Sequence, residues 1–301
     1  MSTSPLQTKP DWLSISPKAG TDFTKIKSAL RKRGLVTVCE EAHCPNMAEC
    51  WHNEGTATFM VLGDVCTRGC RFCAIKTAMK GRPVNPHEPH MLAEAISEMG
   101  LSYAVLTSVD RDDLPDGGAA HFASCIKEIK TQSPQTYVEV LIGDFAGNHE
   151  DLQKIIDANP DVIAHNIEVV ERLQRKVRDF RANYKQSLDV LAYVKQVSPH
   201  IYTKSALMLG LGETEEEVLQ AMDDLRAIDC DFLTIGQYLK PKTSLLEVKE
   251  YVMPKIFEQY KFVGEEKGFL YVASGSFVRS SYRAGEFFVM QHKKERERNL
   301  S

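Results

Sequence analysis

A chain of 301 residues is long enough for one large barrel with extensions or for two ordinary domains. With 43% hydrophobic and 26% charged residues it has the balance of a globular protein rather than a disordered, collagen-like or membrane chain, and no run approaches the roughly 20 apolar residues that span a bilayer. Thirty-seven basic against 41 acidic residues give a net charge of −4, which excludes a general electrostatic pull toward nucleic acid.

The first twenty residues are polar, carry Pro5, Pro10 and Pro17 and lack an apolar h-region, so the expectation is no secretory signal and a cytosolic, cytoplasmic protein. Charge is uneven: residues 1–34 hold seven Lys or Arg against two Asp, and residues 283–301 five against three, which leaves the middle acidic. Lys25, Lys27, Arg31, Lys32 and Arg33 fit an exposed amphipathic turn. Next come two cysteine triplets, Cys39-x4-Cys44-x5-Cys50 and Cys66-x3-Cys70-x2-Cys73. Eight cysteines in a chain of this size are not a disulfide framework, and packing does not explain six of them within 35 residues. Cys125 and Cys230 stand alone and read as core residues.

From about residue 57, short β-rich runs alternate with helical ones, the pattern of a parallel α/β sheet or barrel. The predicted strands are residues 56–62, 101–107, 137–142, 161–165, 201–209 and 232–235, with a seventh run at 269–273. Residues 90–99 put Met91, Leu92, Ala95, Ile96 and Met99 on one helix face with Gly100 as the stop, and residues 214–228 open on a Thr214–Glu217 capping box. In such a barrel the segments that follow the strands converge on one face. That face would collect Asp64–Cys73, Ser108–Gly118, Gly143–Phe145, Asn166–Glu168, Gly210–Glu213 and Gly236–Tyr238. His165, at a strand end, reads as a hydrogen-bonded barrel residue.

Three thiolates on a tight loop suit a cubane iron–sulfur cluster with one iron lacking a protein ligand. Zinc is the competing reading, with His43, His52, His87 or His90 available to complete a tetrahedral set. Spacing alone leaves both open.

Cys66-x3-Cys70-x2-Cys73 with Phe72 before the last cysteine resembles the signature of radical S-adenosylmethionine (SAM) enzymes. The flanking residues go further. Glu40–Asn46, Glu49–Trp51, Gly55–Met60, Asp110–Gly118 and Arg279–Tyr282 closely resemble the lipoyl synthase family, from Lys9–Leu13 to about Phe288. The resemblance implies an incomplete (β/α)6 TIM-type barrel at residues 56–268. A Cys-rich N-terminal extension (1–55) and a short C-terminal extension with the Arg-Ser-Ser-Tyr motif (269–301) would flank it.

It further implies two 4Fe–4S clusters per chain. Cys66, Cys70 and Cys73 would hold the one whose open iron chelates SAM; Cys39, Cys44, Cys50 and Ser281 would hold an auxiliary cluster that is the sulfur source. The substrate would be an octanoyl-lysine on a carrier protein, either the lipoyl domain of a 2-oxoacid dehydrogenase E2 or the glycine cleavage H protein. Its C6 and C8 carbons have no acidity to exploit, so acid–base or nucleophilic catalysis cannot begin the reaction and a cofactor radical must. A ferredoxin- or flavodoxin-type donor would supply electrons, with neither nucleic acid nor membrane involved. For SAM, the resemblance points to Ser108 and Asp110 at the amino end, Asn166 and Glu168 near the ribose, and Phe72 and Glu213 near the adenine. Arg178 and Lys204 would serve carboxylate or substrate contacts. Departures from the family pattern are Ala206, Ser276 and Lys240-Pro241-Lys242, none a cluster ligand. Other radical sulfur-inserting enzymes and a non-catalytic metal scaffold are the alternatives.

Overall fold

Seven strands, each buried by neighbours on both faces, line up in parallel in a computed structural model that describes residues 9–13, 36–37 and 57–280. In sheet order they are β2 (Ala57–Val61), β5 (Tyr103–Ser108), β6 (Tyr137–Leu141), β7 (Val162–Ala164), β8 (Tyr202–Leu209), β9 (Phe232–Gln237) and β10 (Tyr271–Gly275). Short β1 (Val36–Thr37) pairs antiparallel with β2 at Met60 and Phe59 and covers that edge. A separate ladder joins β3 (Val65–Cys66) to β4 (Lys76–Thr77). Among the described residues β10 pairs with β9 and not with β2, so the sheet is an incomplete TIM-type barrel.

Double burial explains why the strands are almost continuously apolar, as in β2, where all five residues are buried. The helices between them are α1 (Glu88–Met99), α2 (Ala119–Gln132), α3 (His149–Asp157), α4 (Gln174–Val177), α5 (Tyr184–Val197), α6 (Glu215–Ala227) and α7 (Pro254–Glu266). Helix α1 ends on Gly100 in the left-handed region, and Thr214 and Glu217 form the expected capping box on α6. The outward strand faces meet the helices in two apolar clusters. One joins Leu106 and Val140 to Ile96, Phe122, Ile126 and Ile155; the other joins Leu233 and Val272 to Met222, Leu225 and Phe257. Cys125 and Cys230 are fully buried in them, as read from the sequence.

A third cluster faces inward. Tyr103, Tyr202, Phe232 and Tyr271 begin their strands and, with Tyr137, Val105 and Val162, form an aromatic floor at the N-terminal end of the sheet. The Tyr202 and Phe232 ring centroids are 5.2 Å apart. Above it, buried Lys204 donates to both Glu139 oxygens at 2.8 and 3.0 Å, and Tyr103 donates to Glu139 at 2.7 Å.

Two sequence expectations are refined. The run at 269–273, grouped with the C-terminal extension, is a full strand in parallel register from Tyr271↔Phe232 to Gly275↔Gly236, because β9 offers it an unpaired edge. The barrel sheet therefore has seven parallel strands, one more than the six of the (β/α)6 expectation. Cys39, Cys44, Cys50, Ser281 and the basic run Lys25–Arg33 lie outside the described residues.

Candidate metal centre

The loop from Cys66 to Cys73 emerges where β2 ends, and its base is pinched by the β3–β4 ladder, Cys66↔Thr77, with Ala78 N–H donating to Cys66 O at 3.1 Å. The turn that launches it is strained: Leu62 has φ +66° and is not glycine. Charged groups hold both its backbone ends, since Leu62 N–H donates to Glu88 Oε2 at 3.0 Å and buried Arg111 donates to Leu62 O at 3.0 Å.

Arg68, 4% exposed, anchors the loop from below. Its guanidinium takes Asp144 by both oxygens at 2.7 and 2.8 Å and Asp112 by both at 2.7 and 3.0 Å, a double fork across three strand-end segments. Burial pushes the Asp144 carboxyl upward, but the Arg68 bonds and charge outweigh it and hold it low. The segment after α4 clamps the other side. Arg71 N–H donates to Val177 O (2.8 Å), Gly69 N–H to Asp179 Oδ2 (2.8 Å), and Arg181 to Thr67 O (2.7 Å). Arg181 holds the Asp179 carboxyl well below the usual range.

Cys66, Cys70 and Cys73 are free and half-buried. Backbone N–H groups point at two of the sulfurs, Arg68 N–H to Cys66 Sγ at 3.4 Å and Asp179 N–H to Cys70 Sγ at 3.3 Å. Burial pushes the Cys66 thiol up to about 11, with Asp110 adding to it, and Cys70 up to about 12. The thiols are therefore protonated near neutrality until a metal displaces the protons. Three soft sulfur donors on one loop, two of them with N–H groups on the sulfur, suit an iron–sulfur cluster.

Around this loop the structure gathers some of the sequence-predicted residues and separates others. Asp110 follows β5, its Oδ2 3.9 Å from Cys66 Sγ and its Oδ1 3.6 Å from Arg68, and burial pushes its carboxyl up to about 6. Gly143 makes room for it, because a Cβ there would sit 2.7 Å from Asp110 Oδ1. Ser108 and Asp110 line one cavity of about 220 Å³ with Arg68 and Gly143. Asn166 donates to Glu168 at 3.1 Å; Glu168, at φ +65°, bridges to β8 through Ala206 O and Met208 N, and burial raises its carboxyl. Phe72 packs on the second apolar cluster.

Two residues are engaged elsewhere: Glu213 closes its own turn by accepting from Gly210 and Leu211 N–H (2.5 and 3.0 Å), and Lys204 is held by Glu139 in the barrel interior. Arg178 donates through Nη1 to Gln174 and Ser187 (3.1 and 2.8 Å), and its charge acts on Cys70, Asp110 and Glu168. His165 behaves as read: fully enclosed, it bonds Ile142 O through Nδ1 (2.9 Å) and Ser187 Oγ through Nε2 (3.0 Å), and burial lowers it to about 4. Sequence reasoning assigned no role to Arg68, Asp112, Asp144, Asp179 or Arg181. The signal for Arg68, Asp112 and Asp144 was charge at strand-end loops, whereas Asp179 and Arg181 follow α4 and gave none.

The C-terminal segment reaches the same edge. Val278 O lies 2.1 Å from where a Gly236 Cβ would stand, so the chain crosses the end of β9 in contact and delivers Arg279 and Ser280 to the mouth of the sheet.

Comparisons with known proteins agree with this geometry. Residues 60–225 match the family model described as the radical SAM superfamily, and residues 3–44 match the N-terminal domain of lipoyl synthase. The lipoyl synthase of Halobacterium salinarum is 57% identical over 285 residues, 93% of this chain and 91% of that protein. The chloroplastic lipoyl synthase of Arabidopsis thaliana is 53% identical over 291 residues, covering 95% and 74%. The apicoplast lipoyl synthase of Plasmodium vivax is 54% identical over 93% of this chain, which spans only 63% of that relative's length. Among solved structures, the hydrogenase maturase HydG of Carboxydothermus hydrogenoformans aligns with a TM-score of 0.55 at 13% identity over 90% of this chain and 78% of that one. Methylornithine synthase aligns with 0.54 at 13% identity over 79% and 72%. At that identity the structural likeness speaks for the fold. With the fold, the thiol loop and the sequence relatives in agreement, the chain belongs to the lipoyl synthase family of the radical SAM superfamily.

Proposed function

We propose that this chain inserts sulfur at C6 and C8 of a protein-bound N6-octanoyl-lysine to give the lipoyl group, using SAM and a sacrificial auxiliary 4Fe–4S cluster. The observation that carries the reading is the loop of three free, half-buried thiols, one fewer than the four protein ligands that a four-iron cluster usually takes. When bound, that cluster and SAM supply the one-electron chemistry that breaks an unactivated C–H bond.

The chain's own residues do the rest. Cys66, Cys70 and Cys73 would hold the cluster, and Arg68, Asp112, Asp144 and Asp179 fix the loop that carries them. Asp110 and Glu168 present negative charge and acceptors on that side, suited to the amino and ribose ends of SAM, with Ser108 and Asn166 beside them and Phe72 toward the adenine. Met60, Thr107, Leu141 and Ala164 stand in register on the inward strand face, the one cation next in that register, Lys204, is paired with Glu139, and the aromatic floor lies below. Arg178, whose charge acts on Cys70, Asp110 and Glu168, is suited to the SAM carboxylate, and Lys204 and Glu213 hold these elements in place.

The segments 1–55, 56–268 and 269–301 divide the work. Cys39, Cys44 and Cys50 hold the auxiliary cluster and Ser281 closes it, a hard ligand on a soft cluster that is meant to let go. The crossing of Val278 over Gly236 supports this by bringing the residues just before Ser281 to the sheet's mouth. The substrate is carried on an E2 lipoyl domain or a glycine cleavage H protein, and a ferredoxin- or flavodoxin-type protein supplies electrons. A cytosolic location is part of the proposal. Separately, no described helix is long and apolar enough to cross a membrane.

The test is anaerobic. Reconstituted chain should bind about eight irons and, with octanoylated H protein, SAM and dithionite, yield a carrier that has gained two sulfurs while 5′-deoxyadenosine accumulates. Cys66→Ala abolishes both products. Cys44→Ala keeps 5′-deoxyadenosine formation and loses sulfur insertion; lipoyl product from Cys44→Ala would overturn the donor assignment.

A further inference from the structure

In the helix layer outside the sheet, three side chains from two helices converge. Glu88 opens α1, and His121 and Cys125 stand four residues apart on α2, so these two share one helix face. One ligand-capable atom from each, a carboxylate oxygen, an imidazole nitrogen and a sulfur, lies within 4.8 Å of the other two. Cys125 is fully buried in the first outward apolar cluster, while the side chains of His121 and Glu88 are 13% and 15% exposed. None of the three lines the cavities at the strand ends, so the group stands outside the site described above and touches it only through the backbone of Leu62.

The bonds these residues make do not use up their donor atoms. Glu88 Oε2 accepts from Leu62 N–H at 3.0 Å and lies 2.7 Å from His121 Nε2, whereas among the described residues Glu88 Oε1 takes no hydrogen bond and the Cys125 sulfur has none to another residue. Burial and the Glu88 charge both push the Cys125 thiol up, so on its own it is an inert core thiol and not a nucleophile. A cation set among the three groups offsets both effects, and the thiol gives its proton to solvent as the ion binds. Two ligands at i and i+4 on one helix with a carboxylate from a second element is an arrangement that zinc accepts.

We propose that Glu88, His121 and Cys125 form a mononuclear zinc site, with Glu88 bound through Oε1, His121 through Nε2, Cys125 through its sulfur, and water as the fourth ligand on the partly exposed side. The donor set selects the metal. Sulfur and imidazole disfavour magnesium and calcium, and such a site binds zinc above ferrous iron. Glu88 Oε2 keeps the Leu62 N–H, the kind of outer hydrogen bond that orients a ligating carboxylate. The ion thereby clamps α1 to α2 and backs the φ +66° turn from which the thiol loop starts. The inference goes beyond the proposed sulfur insertion and does not depend on it.

The test uses the full chain after cluster reconstitution, dialysed without oxygen against zinc chloride whose free concentration a chelator holds fixed. Wild type should retain about one zinc per chain, counted by elemental mass spectrometry beside iron. X-ray absorption at the zinc edge should show one sulfur at about 2.3 Å with nitrogen and oxygen at about 2.0–2.2 Å. Cys125→Ser leaves the Glu88–His121 contact in place and removes only the soft donor; His121→Gln removes the nitrogen. Each should weaken zinc binding by about tenfold or more, and whatever zinc Cys125→Ser still holds should show no sulfur. Wild type without zinc overturns the proposal and leaves the three residues a hydrogen-bonded brace. So does zinc with three sulfurs, which puts the ion in a cysteine triplet, or zinc held equally by both variants. Should the variants fail to fold, the sulfur count of the wild-type spectrum decides: none or three overturns the site, one supports it.

Discussion

His165 shows how one enclosed side chain sets a pH limit on the whole fold. Its Nδ1 donates to Ile142 O and its Nε2 accepts from Ser187, so the neutral ring is satisfied and a second ring proton has no acceptor. The unfolded chain takes up a proton below about pH 6.5, while the folded one resists until about 4. More protons are thus bound by the unfolded state in that window, and stability falls as pH drops through it, by about 3 kcal/mol in total. In the metal-free chain, His165→Gln, which keeps one donor and one acceptor, should flatten the pH dependence of the urea midpoint between pH 6.5 and 4; an unchanged slope would place the acid sensitivity elsewhere. At this scale the sequence was legible where spacing carries information. Cys66, Cys70 and Cys73 declare themselves by position along the chain. Arg68 and Asp144 do not, because 76 residues separate two charges that meet only when β2 and β6 are brought to one edge.

Among elements, the cluster loop depends on partners it does not contain. Removing Asp144 leaves Arg68 buried with half its fork empty, and breaking a buried pair from one side costs about 3–5 kcal/mol. Asp144→Ala should therefore destabilise the metal-free chain by that order in urea unfolding and lower the iron retained after reconstitution, with Cys125→Ser as a control for mere core damage. Combining it with Arg68→Met should recover part of the stability, since the stranded charge is gone, without restoring the iron. Recovery of both would mean that the pair supports the fold and not the loop. Element boundaries were readable where local chemistry fixes them, as at Gly100 and the Thr214–Glu217 box. Strand ends were misjudged by one or two residues, because a strand stops where its neighbour stops. Residues 269–273 looked like the start of an appendage until β9 was seen to have a free edge for them.

For the molecule as a whole, the meeting of Gly236 and Val278 is the joint between the barrel and its C-terminal segment. A methyl group at residue 236 cannot coexist with the Val278 carbonyl, so Gly236→Ala displaces the strap that leads to Ser281. The expected result is near-normal 5′-deoxyadenosine formation with at least a tenfold drop in lipoyl product, measured by mass spectrometry of the carrier; equal loss of both would place the damage in β9. Overall architecture was legible because alternating apolar and amphipathic runs admit few solutions. A role for Cys39, Cys44 and Cys50 came only from family resemblance, and they lie outside the described residues.

The plug of tyrosine and phenylalanine rings under Lys204 and Glu139 turns the barrel into a blind shaft. Among the described residues, whatever reaches the thiol loop is therefore held off from the N-terminal ends of the strands and has to be delivered near their C-terminal ends, where the loop itself stands.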